Sequence, residues 1–447
     1  MSKNENAGTN VLDAPQTKPN YTVPLIAMIV VFFLFGGITN VNGILQPYLE
    51  KVFNLSSFQG SLVTFAFFGG FVVSSPLGSK AISKWGHKMA LIIGLLGTAL
   101  GLAVFFTASL VAESALQAGS EVQSSFYLFL LGLFTVGSSV AILQVAANPY
   151  ISALGDPGTA DSRINMAGTF NSLASVLIPM TLGRLLLDKN VLDAISDPQE
   201  KLITMVQSIQ SPYIGLIIFT VFVAVIYKFV QLPEIASISS SDDSNEQQES
   251  PLKYSHMWMG VLAIFFYVGA EVSIAQYLVK LAETQDMTFL TKFIKQSDLV
   301  GTYWGMLLVG RFAGIFIMQK IKTHQGLIWT AGPALVLLAI GLMGISGDLT
   351  VIAFVLIGLF NSVMWGAIFP LGIAKMGPLT NKASSYMIMG IFGGAIFPMI
   401  QGAAADIVGV HMSYGVLILA YGYLFYYAIL GHKVKSHPEL KEETEAA

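Results

Sequence analysis

The chain has 447 residues, of which 54% are hydrophobic and only 11% are charged, and its mean hydropathy is +0.68. Soluble domains carry about 25% charged residues, so this composition excludes an ordinary soluble protein and predicts a polytopic membrane protein whose partner is the lipid bilayer. The net charge of −3 argues neither for nor against an acidic partner, but the lack of a basic patch argues against nucleic acid. The absence of cysteine excludes disulfides, thiol catalysis and thiolate metal sites.

The chain begins with a polar tail, residues 1–21, in which no apolar core precedes a small-residue cleavage site. We therefore expect no cleavable signal peptide, and we expect the first apolar span to serve as the targeting signal. About twelve apolar stretches of roughly 20 residues follow, each long enough to cross a bilayer as a helix. They lie near residues 23–49, 58–82, 88–111, 125–152, 164–187, 211–231, 256–281, 298–320, 326–346, 350–374, 383–405 and 412–432.

A polar break at residues 233–254 separates six spans from six. It is rich in Ser, Asp, Glu and Gln, a composition that cannot bury itself, so it is predicted to be a cytoplasmic linker. The prediction is an all-α membrane protein with six-helix bundles at 22–232 and 255–432 and a tail at 433–447. Identical residues recur at one spacing in both halves, as in Gly69 and Gly305 or Lys84 and Lys320, which favours two parallel repeats.

Basic residues predict the orientation of the chain. With both termini inside, most loop lysines and arginines fall on the inner side, as the positive-inside rule requires. We therefore expect a multi-pass protein of the cell (inner) membrane with both termini cytoplasmic, working as a monomer.

One acidic residue, Glu271, lies near the middle of the apolar run from Met257 to Val279. A central charge in a membrane span costs about 2.5–3.5 kcal/mol on insertion scales, so such residues face a cavity or a partner and often mark ion or proton paths. A structural carboxylate paired with a neighbouring helix is the alternative. We interpret Glu271 as the ion-coupling residue.

Side-chain amides recur on single helical faces. Asn42 and Gln46 are four residues apart, and so are Gln144 and Asn148, so each pair shares a face. An amide both donates and accepts hydrogen bonds, which suits the hydroxyl groups of a sugar, although structural bonds between helices are an alternative. The candidate substrate-binding residues are Gln46, Gln144, Asn148, Asn165, Tyr267, Gln276, Asn361 and Trp365.

Arg311 is the other charge within a span, and there Arg can snorkel or cap carbonyl groups. We expect a gating or structural role for Arg311 and for Lys84, which lies in the loop after the second span. The sequence contains no Walker-type loop, which argues against ATP as the energy source, and no His-Glu-x-x-His motif. The six histidines lie at span ends, loops or the tail, so no histidine proton relay is predicted.

Several motifs together resemble the sugar:cation symporters of the major facilitator superfamily, in the subfamily of the L-fucose permease and the bacterial glucose/galactose transporters. These motifs are Asn42-Gly43-Ile44-Leu45-Gln46-Pro47, Ala146-Ala147-Asn148-Pro149-Tyr150, Thr169-Phe170-Asn171-Ser172, Tyr267-Val268-Gly269-Ala270 and Gly310-Arg311-Phe312. The resemblance implies the major facilitator fold and sugar symport. The chain departs from the proton-coupled permease at Gly43 and Gln144, where the permease has acidic residues, and at Glu271, where the permease has an amide.

The resulting hypothesis is a secondary active importer that couples a monosaccharide to a cation gradient by alternating access. No cofactor is expected beyond the coupling cation, Na⁺ or H⁺. Sodium is favoured because hard cations prefer oxygen ligands, here Glu271 with Ser273 and Asn42, and because the usual proton-carrying acids are absent. No other metal site is predicted. Proton-coupled or uncoupled sugar transport and a major facilitator exporter of another small molecule are the alternatives; a non-transporting sensor or a membrane enzyme is less favoured.

Overall fold

A computed structural model describes residues 21–55, 57–186, 195–233 and 250–434, and within these ranges all regular structure is helical. The N-terminal half contains helices α1 (Thr22–Phe53), α2 (Ser57–Gln117), α3 (Gln123–Ala153), α4 (Ala160–Leu186) and α5 (Pro198–Phe229). The C-terminal half contains α6 (Ser255–Thr284), α7 (Leu299–Ile317), α8 (Thr323–Leu342), α9 (Gly347–Asn361), α10 (Met364–Gly372), α11 (Thr380–Met389), α12 (Gly393–Ser413) and α13 (Leu417–Tyr426).

Eight of the described helical segments are long and apolar enough to cross a membrane. Two of them, at 56 and 55 residues, are each long enough for two crossings of a hydrocarbon core about 30 Å thick. Breaks at Gly86 and Gly409 divide them, at φ angles of 76° and 81° that favour glycine. The pair α9 and α10, bent by 42°, forms one more crossing. With α4, the most polar of the long helices, the predicted twelve crossings are confirmed.

Helices of the two halves meet along two seams, where α4 packs against α7 and α10 while α2 and α3 pack against α11. The side of the molecule where Tyr21, Gly155 and Pro233 lie is called the linker side, because the predicted linker begins there. Tyr21 borders Gly155, and the Tyr150 hydroxyl donates to the Pro233 carbonyl at 2.8 Å.

Hydrogen bonds join the two halves near the linker side. The Ser162 hydroxyl donates to the Ile315 carbonyl at 3.0 Å, and the Gln319 amide donates to Ser162 Oγ at 3.1 Å. The Thr323 hydroxyl donates to Asp161 Oδ2 at 3.0 Å. These contacts, the linker-side seal, hold the halves together on this side of the bilayer.

On the opposite side, Asp348 anchors the loop between α6 and α7. Its carboxylate accepts the backbone N–H groups of Leu290 at 2.7 Å, Phe289 at 3.0 Å and Thr288 at 3.2 Å. These bonds hold the pKa of Asp348 below its ordinary value. A lowered carboxyl pKa means that the anchoring is present at neutral pH and is lost as the pH falls below about 3.9 and through the lowered pKa.

We therefore expect Asp348→Asn to release this loop at neutral pH, since the amide accepts these hydrogen bonds more weakly than a carboxylate. Limited trypsin digestion with mass spectrometry should show faster cleavage after Lys292, a residue of the loop. Glu283→Gln, at an exposed position on α6, serves as the control and should match the wild type. Unchanged cleavage after Lys292 in Asp348→Asn would show that other contacts hold the loop.

Candidate functional site

Glu271 lies near the middle of α6 and is only 9% exposed. The Tyr267 hydroxyl, one helical turn earlier, donates to Glu271 Oε1 at 2.6 Å. Nη2 of Arg311, from α7, lies 3.9 Å from the same oxygen. The carboxylate is thus held by one hydrogen bond and one positive charge, which is how a buried charge avoids the cost of desolvation.

Arg311 also bonds to the other half of the molecule. Its Nη1 donates to Gly168 O at 2.9 Å, Asn171 Oδ1 at 3.1 Å and Ser172 Oγ at 2.8 Å, all on α4. Its Nε donates to Ser362 O at 3.1 Å, within its own half. The guanidinium therefore bridges α4 and α6, and any separation of the halves at this level must break its bonds to α4.

A second set of polar side chains supports α6 from within the C-terminal half. Tyr421 donates to Asn361 Oδ1 at 2.9 Å, and Asn361 Nδ2 donates to the Tyr303 hydroxyl at 2.9 Å. The Tyr303 hydroxyl in turn donates to the Glu271 backbone carbonyl at 3.2 Å. Asn361 is fully buried with both ends of its amide occupied, so in this structure it holds helices together rather than facing a cavity.

Asn148 and Trp365 meet across the two halves. Trp365 Nε1 donates to Asn148 Oδ1 at 3.1 Å, while Asn148 Nδ2 donates to Gln144 O at 2.9 Å. The side-chain amide of Gln144 makes no hydrogen bond to another described residue, and Gln144 is 7% exposed. Of the predicted pair Gln144 and Asn148, it is Asn148 that contacts the other half of the molecule.

Asn165 inserts between two glycines of the other half. A Cβ atom on Gly366 would lie 2.7 Å from both Nδ2 and Oδ1 of Asn165, and one on Gly314 would lie 3.8 Å from Asn165 Cγ. The Asn165 Nδ2 group is buried and has no hydrogen-bond partner among the described residues. A residue larger than glycine at position 366 would therefore displace this amide.

The structure does not place Ser273, Gln276 or Lys84 beside the Glu271 carboxylate. Ser273 is two residues from Glu271 and therefore about 200° around α6, and its buried hydroxyl has no partner in the described structure. Gln276 is exposed, and Lys84 places its ammonium 4.8 Å from the ring centre of Trp85 in the loop between the second and third spans. The side chains of Asn42 and Gln46 lie outside what the structure describes.

Sequence reasoning missed several residues of the Arg311 and Glu271 environment: Gly168, Asn171, Ser172, Tyr303 and Tyr421. Of these, Asn171 and Ser172 carried a signal, because a polar pair within a span needs a partner and Arg311 was the unpaired charge. The two tyrosines carried none, since tyrosine is common in spans and its hydroxyl partner depends on the tertiary structure.

Twelve crossings in two halves, with a charged pair buried where the halves meet, define a membrane transport protein rather than an enzyme. Residues 27–387 match the Major Facilitator Superfamily, and the chain belongs to that family.

Similar proteins include the glucose/galactose transporter of Brucella abortus, 34% identical over 93% of this chain and 96% of the relative. The L-fucose-proton symporter of Escherichia coli is 30% identical over 89% of this chain and 90% of the relative. A crystal structure of the E. coli fucose:proton symporter, FucP, superposes with a TM-score of 0.79 at 27% identity, covering 93% of this chain and 100% of FucP.

Proposed function

We propose that this protein is a monosaccharide:proton symporter of the bacterial inner membrane that works by alternating access, with both termini cytoplasmic. The names of the relatives support a sugar of the glucose, galactose or fucose type. The amide of Gln144, which bonds to no other side chain among the described residues, and the indole of Trp365 support the same substrate class. An amide donates to and accepts from sugar hydroxyls, and an aromatic face covers the apolar face of a pyranose ring.

The coupling ion is proposed to be the proton, and the observation that carries this choice is the position of Arg311. Its guanidinium lies 3.9 Å from Glu271 Oε1, and a sodium ion bound at that oxygen would be repelled by this second positive charge. Ser273, predicted to complete an oxygen cage for sodium, lies on another face of α6. The sequence-based preference for sodium therefore has no support in this geometry, whereas a proton adds to the carboxylate without needing a cage of ligands.

In the proposed cycle, Glu271 is ionised and paired with Arg311 while the linker side is closed. Protonation of Glu271 removes the negative charge and weakens its hold on the guanidinium. Among the described residues, Arg311 then has only neutral partners, on α4 and at Ser362 O. The strength of its bonds between the two halves therefore changes with the charge of Glu271. Bound sugar would supply the remaining contacts between halves, so that carriers loaded with both ligands reorient and release them to the cytoplasm.

Uptake into proteoliposomes tests the proposal when proton and sodium gradients are imposed separately. With an alkaline lumen and no sodium on either side, we expect labelled glucose, galactose or fucose to accumulate above its external concentration. A sodium gradient at equal pH should give equilibration only, and a proton-conducting ionophore should abolish accumulation. Accumulation that requires the sodium gradient would overturn proton coupling, and failure of all three sugars under both gradients would overturn sugar symport.

A further inference from the structure

The contact between Trp365 and Asn148 occupies a particular level of the molecule. Trp365 lies four residues after Asn361, beyond the bend between α9 and α10 and toward the linker side, and Asn148 follows Gln144 by one helical turn in the same direction. Their hydrogen bond therefore lies between the Glu271 and Arg311 pair and the linker-side seal.

Both partners of this bond are held in place by other contacts. Asn148 is fully buried, and its Nδ2 donates to Gln144 O at 2.9 Å, which leaves Oδ1 facing Trp365 Nε1 at 3.1 Å. The Trp365 ring stacks on Phe369, with centroids 5.9 Å apart and planes 20° apart. Because both side chains are fixed in advance, their bond loses little side-chain entropy when it forms.

Trp365 also lies next to Tyr267, the residue that donates a hydrogen bond to Glu271. Its ring centroid lies 6.5 Å from that of Tyr267, whose hydroxyl donates to Glu271 Oε1 at 2.6 Å. A continuous row of contacts thus runs from the carboxylate through Tyr267 and Trp365 to Asn148 in the other half. A shift of the Tyr267 ring on protonation of Glu271 would reach the indole directly.

We propose that the Trp365–Asn148 hydrogen bond is a latch that keeps the linker side closed, and that Tyr267 makes its strength depend on the state of Glu271. Trp365 and Asn148 are positioning residues for the transport reaction in this role. When the halves separate, this hydrogen bond breaks, and the indole N–H and the amide oxygen become free to bond to sugar hydroxyls. The link to Glu271 rests on the proposed proton coupling, whereas the latch itself does not.

Distances between spin labels test the latch without sugar or a proton gradient. The chain has no cysteine, so pairs of introduced cysteines carry the only labels. Gly158→Cys with Lys320→Cys reports on the linker side, and Glu121→Cys with Asp286→Cys reports on the opposite side; all four positions are exposed. In Trp365→Phe, which keeps a stacking ring but lacks the N–H donor, the ratio of linker-side-open to closed molecules should rise about fivefold, the change expected for one hydrogen bond of about 1 kcal/mol.

The control is Trp329→Phe on α8, where the side chain is 71% exposed, and it should leave both distance distributions unchanged. Asn148→Leu removes the acceptor from the other half and should give the same shift as Trp365→Phe, and the double variant should shift no further than either single one. Equal distances in wild type, Trp365→Phe and Asn148→Leu would overturn the latch. Additive shifts would overturn the pairing.

A second measurement tests the link to Glu271. Proteoliposomes containing Trp365→Phe should leak protons several-fold faster than wild type in the absence of sugar, because the linker side opens without waiting for substrate. Introducing Tyr267→Phe should raise the linker-side-open fraction when Glu271 is ionised, at high pH, and have little effect at low pH. The variants could shift the distances between labels while proton leak and the pH response stay unchanged. In that case the latch exists, but its coupling to Glu271 is wrong, and so is this part of the proposed function.

Discussion

Replacing Glu271 with glutamine is expected to abolish concentrative sugar uptake, so that the internal sugar concentration never exceeds the external one. Glutamine has nearly the same shape as glutamate and cannot ionise, so it mimics the protonated carrier throughout the cycle. The sugar-loaded carrier, which is protonated when it moves in either direction, should still reorient. The empty carrier returns in the deprotonated state, and this step should stop. Exchange of labelled for unlabelled sugar across the membrane should therefore persist while net uptake against a gradient is lost.

The matched control for this variant is Glu283→Gln, an exposed glutamate on the same helix, which should accumulate sugar like the wild type. Accumulation and exchange should be measured on the same proteoliposome preparation, so that a fall in both can be separated from loss of folded protein. Intact accumulation in Glu271→Gln would mean that another group carries the ion.

Arg311→Gln is expected to destabilise the protein and to impair transport more generally. The substitution leaves the Glu271 carboxylate buried without its counter-charge. It also removes the guanidinium N–H groups that donate to Gly168, Asn171 and Ser172 on α4. Breaking a buried ion pair by removing one partner costs about 3–5 kcal/mol, although the 3.9 Å separation of this pair places the expectation at the lower end of that range. The melting temperature should fall, and both accumulation and exchange should decrease.

The double variant Glu271→Gln/Arg311→Gln separates the charge effect from the loss of hydrogen bonds. Because no unpaired buried charge remains, its melting temperature should recover part of what Arg311→Gln loses. Lys320→Gln, at an exposed position shortly after α7, controls for loss of a positive charge and should be nearly neutral. If the double variant is no more stable than Arg311→Gln, the interaction between the two charges contributes little in the folded protein.

The fold was predictable from the sequence because its determinants are local. Apolar runs of about 20 residues and one polar break were enough to give twelve crossings and two halves. The span containing α4 shows where this reasoning is weakest: its Asn and Ser residues lower its hydropathy, and those same residues bond to Arg311. The 42° bend between α9 and α10 was not predicted, since the only proline nearby, Pro370, lies beyond it.

The candidate site was predictable only as far as single residues. A charge in a span must be compensated, so Glu271 and Arg311 stood out, but nothing in the sequence showed that they face each other. Helical geometry alone should have separated Ser273 from Glu271, because residues two apart lie on nearly opposite faces of a helix. The pairing of Asn148 with Trp365 and the commitment of Asn361 to two tyrosines depend on how separate helices pack, which residue spacing does not encode.

Sugar and proton are proposed to enter together through Glu271, and this coupling can be measured as the proton movement that follows the addition of sugar. Proteoliposomes are prepared in sodium-free, weakly buffered medium, with potassium and valinomycin to hold the membrane potential at zero, and the external pH is followed as sugar is added. Coupling through Glu271 predicts that sugar makes the medium more alkaline with wild-type protein and leaves the pH unchanged with Glu271→Gln. Sugar uptake by the wild type with no change in pH, or a change in pH that persists in Glu271→Gln, would contradict it.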